Sequence, residues 1–187
     1  MAVKFNLPTY LTFLRIGMIP LLAIVFYLPW ELSRIACTAI FLLAGLTDWL
    51  DGYLARKMGL ETAFGAFLDP VADKLMVAFV LVLIVQAEAS PWLAIAAAVI
   101  IGREITIASL REWMAEVGQR AKVKVSQLGK WKTTAQMAAI SLLLYRDDLF
   151  GLPINQMGYW LLYLSAVLTL WSMVNYLIAA LSTLTEQ

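Results

Sequence analysis

Six stretches of mostly apolar residues, at roughly 9–28, 33–54, 63–86, 92–113, 127–146 and 157–180, fill this chain almost end to end. Each is close to the ~20 residues a helix needs to cross a bilayer. Inside a bilayer no water is available to backbone N–H and C=O groups, so the chain must satisfy them internally. The expected fold is therefore all-α: a polytopic membrane protein, a six-transmembrane-helix bundle occupying 1–187 as one domain. Composition agrees, with 62% hydrophobic and 14% charged residues against about 25% charged in soluble domains. Turn signals separate the stretches at Pro29, Lys57-Met58-Gly59, Ser90-Pro91 and Gly151-Leu152-Pro153. The fifth stretch crosses only if Lys130 and Lys132 snorkel to the interface. The run Ile16–Trp30, preceded by Lys4 and Arg15, superficially resembles a signal peptide. No small-x-small cleavage site follows it, so it reads as a retained first span.

Charge placement sets the expected orientation. Lys4, then Arg56 and Lys57, then Arg111, Arg120, Lys122, Lys124, Lys130 and Lys132 occupy one set of alternate connections. The other set carries Arg34 with Glu31, Glu88 alone, and Arg146 with Asp147 and Asp148. The positive-inside rule then puts both termini in the cytoplasm, for a protein of the cytoplasmic (inner) membrane. Trp30, Trp92, Trp113 and Trp160 fall near span ends, as interfacial aromatics do. The basic segment from Arg111 to Lys132 has two readings: topogenic charge, or a surface that collects anionic metabolites and lipids. One cysteine, Cys37, excludes an internal disulfide and any Cys cluster, and is read as a small apolar helix residue. Histidine is absent, which removes the commonest general base and the commonest transition-metal ligand.

Against this apolar background stand Asp48, Asp51, Asp69 and Asp73. A carboxylate at membrane depth costs about 2.5–3.5 kcal/mol on insertion scales, so four of them need a compensating partner. Asp48 and Asp51 are spaced i, i+3 and Asp69 and Asp73 i, i+4, so each pair shares one helix face. A tight connection around Arg56–Glu61 would make the two spans antiparallel neighbours with the pairs facing one another. Their joint charge suits two divalent cations. An all-oxygen donor set selects hard ones such as magnesium, manganese or calcium. Two such ions ~3.5–4 Å apart form the clamp used in phosphoryl-type transfer. Asp51 precedes Arg56 by about 7.5 Å of helix at 1.5 Å per residue, so the site is expected just below the cytoplasmic interface. Gly52 and Gly65 allow close approach of a ligand or of another helix. Pro70 either frees a carbonyl for a ligand or simply bends its span, and Asp69 beside it could also cap a helix.

The full pattern, D-x2-D-G-x2-A-R-x8-G-x3-D-x3-D from Asp48 to Asp73, resembles the signature of the CDP-alcohol phosphatidyltransferase family at every defining position. The resemblance implies a six-span bundle, usually a homodimer, that transfers a phosphatidyl-type group from a CDP-linked donor to an alcohol and releases CMP. It implies that Asp48, Asp51, Asp69 and Asp73 bind two divalent cations (Mg2+ or Mn2+), with Asp73 also the base for the acceptor hydroxyl. Gly52, Ala55 and Gly65 would then border the donor, CDP-diacylglycerol, and Arg56 would meet its diphosphate, as a permanently charged fork can. Asn6, Thr9 and Arg15 either line the nucleotide side or simply begin an interfacial helix.

Flanking segments resemble the branch of the family whose acceptor is sn-glycerol 3-phosphate: Asn6-Leu7-Pro8-Thr9 through Arg15, Ala66–Lys74, Gly102-Arg103-Glu104, Leu110-Arg111-Glu112-Trp113 and Gly129–Thr133. That acceptor is a small dianion needing fixed positive charge. Arg103, Arg111 and Lys130 are the expected phosphate contacts, with Lys132 and Thr133 beside them. For Arg103 the plainer alternative is a buried pair with Glu104. The competing functions are a cardiolipin synthase of the same family, a carboxylate-based cation transporter, and a purely structural bundle. Membrane lipid is an expected partner and nucleic acid is not.

Overall fold

The computed structural model describes residues 7–59, 62–116 and 127–184; within these, the side chains of 7, 8, 55, 56, 63, 66, 127–131 and 179–184 lie outside the description. Among the described residues six helices follow in order: α1 (Leu7–Tyr27), α2 (Ser33–Met58), α3 (Ala63–Glu88), α4 (Pro91–Glu116), α5 (Gln127–Tyr145) and α6 (Ile154–Leu184). Each coincides with one expected stretch, and most run a few residues further at one end. Among the described residues there is no strand, only an isolated bridge between Leu149 and Leu152 in the α5–α6 turn.

The helix ends have local causes. Gly59, at φ 62°, takes the left-handed conformation that stops α2. Thr62 caps α3, its hydroxyl accepting from the Gly65 N–H at 3.0 Å. The cap is thus Thr62 and not Asp69, and Pro70 lies inside an unbroken α3. The Pro70 carbonyl accepts from Lys74 Nζ at 3.2 Å.

α1 packs along both α2 and α3, which touch each other only sparingly. This modifies the expected face-to-face pairing of spans two and three, because α1 occupies much of the groove between them. α5 packs along α6 and against α2, while α4 joins α6 to α3. The core is built from Leu22, Phe41, Leu81, Ile84, Leu93, Ile100, Ile140, Leu143 and Leu162. Cys37 is buried among them, its thiol directed at the Leu22 carbonyl. Lipid offers no hydrophobic drive for one helix to leave it for another, so close packing of small residues must help hold such a bundle. Gly158 supplies this on α6: a Cβ there would stand 2.9 Å from Leu143 Cγ of α5.

The outer surface is apolar, with Ile24, Val82, Ile95, Val167 and Ile178 largely exposed, as a lipid-facing surface requires. Four helices, α1, α2, α4 and α6, carry stretches long and apolar enough to cross a membrane. The chain is therefore a multi-pass membrane protein. α3 and α5 are not among these four; α3 carries Asp69, Asp73, Lys74 and Glu88, and α5 carries Lys130 and Lys132.

Polar ties fasten the end of the bundle where α2, α4 and α6 begin. Tyr27 donates to Gln86 at 2.6 Å, and Arg34 pairs with Asp147. Glu88 accepts from Tyr159 at 2.5 Å and forms an ion pair with Arg146 at 2.5 Å. Trp92 and Trp160 lie exposed near this end.

Candidate active site

At the opposite end, α1 presents Thr9, Thr12 and Arg15 on one buried face, three residues apart each time. Leu22 continues that inward side as the apolar core. The three polar residues thus meet the ends of α2 and α3 where the aspartates lie. Thr12 donates to Asp69, and Arg15 donates to Asp51. Arg15 Nη1 also stands 2.8 Å from Asp48 Oδ1. Arg15 is 1% exposed and Asp51 2%, whereas Asp48 is 45% exposed. Gly65 sits beneath the same face, where a Cβ would press on the Thr62 hydroxyl at 3.1 Å and reach Thr9 at 3.9 Å. The tight neighbour is thus the capping hydroxyl of α3 itself, while Thr9 of α1 lies at ordinary van der Waals distance.

The carboxylates form one electrostatic group. Asp51 lies within range of Asp48 and Asp69, and Asp73 within range of Asp48. Asp73 is exposed on α3, and it is also within electrostatic range of Glu104 on α4. It therefore stands between the aspartates and a second cluster.

That second cluster is basic and joins α4, α5 and α6. Arg103, 8% exposed, bonds Glu104 at 2.8 Å and Ser172 at 3.3 Å. Lys132, 2% exposed, reaches the same Glu104 oxygen at 2.9 Å. The Tyr176 ring lies 5.9 Å from the Arg103 guanidinium and 5.8 Å from that of Arg111, both within cation–π range. The Nε of Arg103 is buried without a hydrogen-bond partner among the described residues. The buried Arg103–Glu104 pair foreseen as the plainer reading thus exists, but Glu104 is shared with a second cation. Beside it, a groove of about 240 Å³ between α3 and α4 runs from Lys74 and Glu104 along Leu75, Ala78 and Ile101.

Of the expected site residues, Asp48, Asp51, Asp69, Asp73, Gly65 and Thr9 gather at the first cluster. Arg103, Arg111 and Lys132 gather at the second. Thr133 is exposed near the start of α5, and Gly52 is partly buried on α2. Asn6 and the side chains of Ala55, Arg56 and Lys130 lie outside the described residues. Sequence reasoning passed over Thr12, Ser172 and Tyr176, and gave Arg15 no carboxylate partner. The signal was present: Thr9, Thr12 and Arg15 share a helical face in a span with few other polar residues. Ser165, Thr169, Ser172 and Tyr176 likewise form a buried polar stripe along α6.

A hard divalent cation can be tested against this donor set. Four carboxylates, linked through the pairs Asp51–Asp48, Asp51–Asp69 and Asp73–Asp48, fit such an ion in kind. Among the described residues, though, no three of them stand together as a ready coordination shell. Asp48 and Asp51 are turned onto Arg15, and Asp69 onto Thr12.

Comparison with known proteins gives a consistent result. The profile of a family described as CDP-alcohol phosphatidyltransferase matches residues 5–171. A protein of Haemophilus influenzae named CDP-diacylglycerol–glycerol-3-phosphate 3-phosphatidyltransferase is 53% identical over 183 residues, covering 98% of this chain and 97% of its own. Proteins of the same name from Sodalis glossinidius and Escherichia coli K12 are 51% and 50% identical, covering 98% of this chain and 99% and 100% of their own.

Proposed function

The chain belongs to the CDP-alcohol phosphatidyltransferase family, and from that footing we propose that it transfers the phosphatidyl group of CDP-diacylglycerol to sn-glycerol 3-phosphate, releasing CMP and phosphatidylglycerophosphate. The observation that carries this reading is the position of Asp73 between an acidic cluster and a basic one. A donor diphosphate held at the first and an acceptor phosphate held at the second would bring the acceptor hydroxyl beside Asp73.

In this reading Asp48, Asp51, Asp69 and Asp73 hold two divalent cations, magnesium or manganese. When bound, these supply charge neutralisation for the phosphorus oxygens and the departing CMP. Arg56 holds the donor diphosphate, with Gly52 and Ala55 leaving room for the nucleotide and Asn6 and Thr9 closing its side. Asp73 Oδ takes the proton of the acceptor hydroxyl. The α3–α4 groove, apolar apart from Lys74 and Glu104, suits an acyl chain of the lipid donor. The whole chain acts as one domain with six spans, both termini cytoplasmic, in the inner membrane. The site faces the cytoplasm, from which a soluble acceptor arrives, and the active form is a homodimer.

Charge supports the choice of acceptor. Arg103, Arg111 and Lys132 are three cations set against the one carboxylate of Glu104, which leaves a surplus of two positive charges. That surplus matches a dianionic phosphomonoester better than the singly charged phosphodiester of phosphatidylglycerol, the acceptor of a cardiolipin synthase. Arg103 Nε also retains an uncommitted donor for a phosphate oxygen. In this reading Lys130 and Thr133 also contact the acceptor phosphate.

Arg103→Ala tests the assignment. A hydrogen bond to a charged group contributes about 1.5–3 kcal/mol, so the KM for glycerol 3-phosphate should rise roughly 10–100-fold at about 1.4 kcal/mol per decade. The KM for CDP-diacylglycerol should move far less. A change confined to the lipid donor would move Arg103 to the other pocket.

A further inference from the structure

We propose that Arg15 is a built-in counter-cation for the aspartate cluster, holding Asp48 and Asp51 until a divalent ion takes them, so that arginine and metal compete for the same carboxylates. This rests on the reading of those aspartates as metal ligands.

Arg15 is among the largest fully buried side chains in the protein, and it lies within the first apolar helix. A guanidinium there is tolerated only with anionic partners, and it has two. Equally, a group of four carboxylates would repel itself strongly without a cation in its midst. One arginine serves both needs, though it offsets only one of the four negative charges.

The pairing does not look like a permanent structural bridge. Such bridges favour a fork meeting one carboxylate squarely through two parallel hydrogen bonds. Here the guanidinium is divided between two aspartates. Nη1 approaches Asp48 at 2.8 Å, but off the hydrogen-bonding direction, and Nε has no partner among the described residues. Asp48 is also the exposed member of the pair, free to turn towards an arriving ion. A carboxylate oxygen neutralised by Arg15 is a poorer donor to a metal, and each positive charge opposes the other at short range. Binding equilibria coupled in this way are reciprocal, so whatever Arg15 gains from the aspartates, the metal must displace.

The test is an electron paramagnetic resonance titration of the purified full chain with Mn2+, beside thermal melts in chelator and in saturating Mn2+. Arg15→Met removes the charge while keeping an extended side chain, and Arg15→Lys keeps the charge. Arg15→Met should bind Mn2+ about tenfold more tightly, inside the 5–150-fold range usual for coupled sites. Its melting temperature should fall in chelator and largely recover with Mn2+. Arg15→Lys should bind Mn2+ much as the parent does. Unchanged or weaker Mn2+ binding by Arg15→Met would overturn the competition. So would an equal loss of melting temperature with and without Mn2+, or a failure to fold even in Mn2+, because each marks Arg15 as a fixed structural pair. A parent protein that binds no Mn2+ would overturn the metal reading itself, and this proposal with it.

Discussion

Asp73→Asn is expected to lower kcat by at least about 10³-fold while leaving the bundle folded. Positioned proton transfer contributes about 10²–10⁴-fold to catalysis, and the same substitution replaces the charged oxygen proposed to bind metal with a neutral amide. Asparagine has nearly the shape of aspartate, and Asp73 is exposed, so packing should not change. The two effects separate experimentally. CMP release measures turnover, while the thermal melt and elution volume in detergent report the fold. Activity within tenfold of the parent would contradict the role of Asp73 as base. Lost activity with a lowered melting temperature would instead point to a structural role for a residue that lies between Asp48 and Glu104.

The fold was largely legible from the distribution of apolar residues. The six helices of the described residues stand where the apolar stretches predicted, and four of them are long and apolar enough to cross a membrane, a property that reveals itself without tertiary information. Helix order around the bundle was not legible. The short α2–α3 connection suggested that those helices pair directly, whereas α1 lies against both. Hydropathy alone cannot say which neighbour a helix chooses, since lipid and protein interiors are equally apolar. Buried polar residues do say, through the partners they require. Thr12 and Arg15 could have been matched to the aspartates on that ground, being with Thr9 the polar residues of an inward face that continues into the core at Leu22. The aspartates themselves were conspicuous because their cost in a bilayer is high. The sharing of Glu104 between Arg103 and Lys132 was not visible, since Glu104 and Lys132 are 28 positions apart and meet only because α4 and α5 both pack on α6.

Removing divalent ions is the second change with a large expected effect. In excess chelator, CMP release should fall by roughly 10³-fold or more, since metal neutralisation of transferring phosphoryl oxygens supplies several kcal/mol to such transition states. Activity should return on adding Mg2+ or Mn2+ beyond the chelator. The loss should leave the protein folded, because Arg15 still neutralises part of the aspartate cluster. Activity that persists in chelator would exclude two-metal chemistry.

The most direct measurement incubates the purified chain with CDP-diacylglycerol and, separately, sn-glycerol 3-phosphate, glycerol or phosphatidylglycerol, and follows CMP release and the lipid formed. The arrangement of Asp73 between the aspartates and the Arg103–Lys132 cluster predicts rapid CMP release with glycerol 3-phosphate and a lipid product carrying one phosphomonoester. Preferential release with phosphatidylglycerol, or no CMP with any acceptor in the presence of Mg2+ or Mn2+, would contradict it.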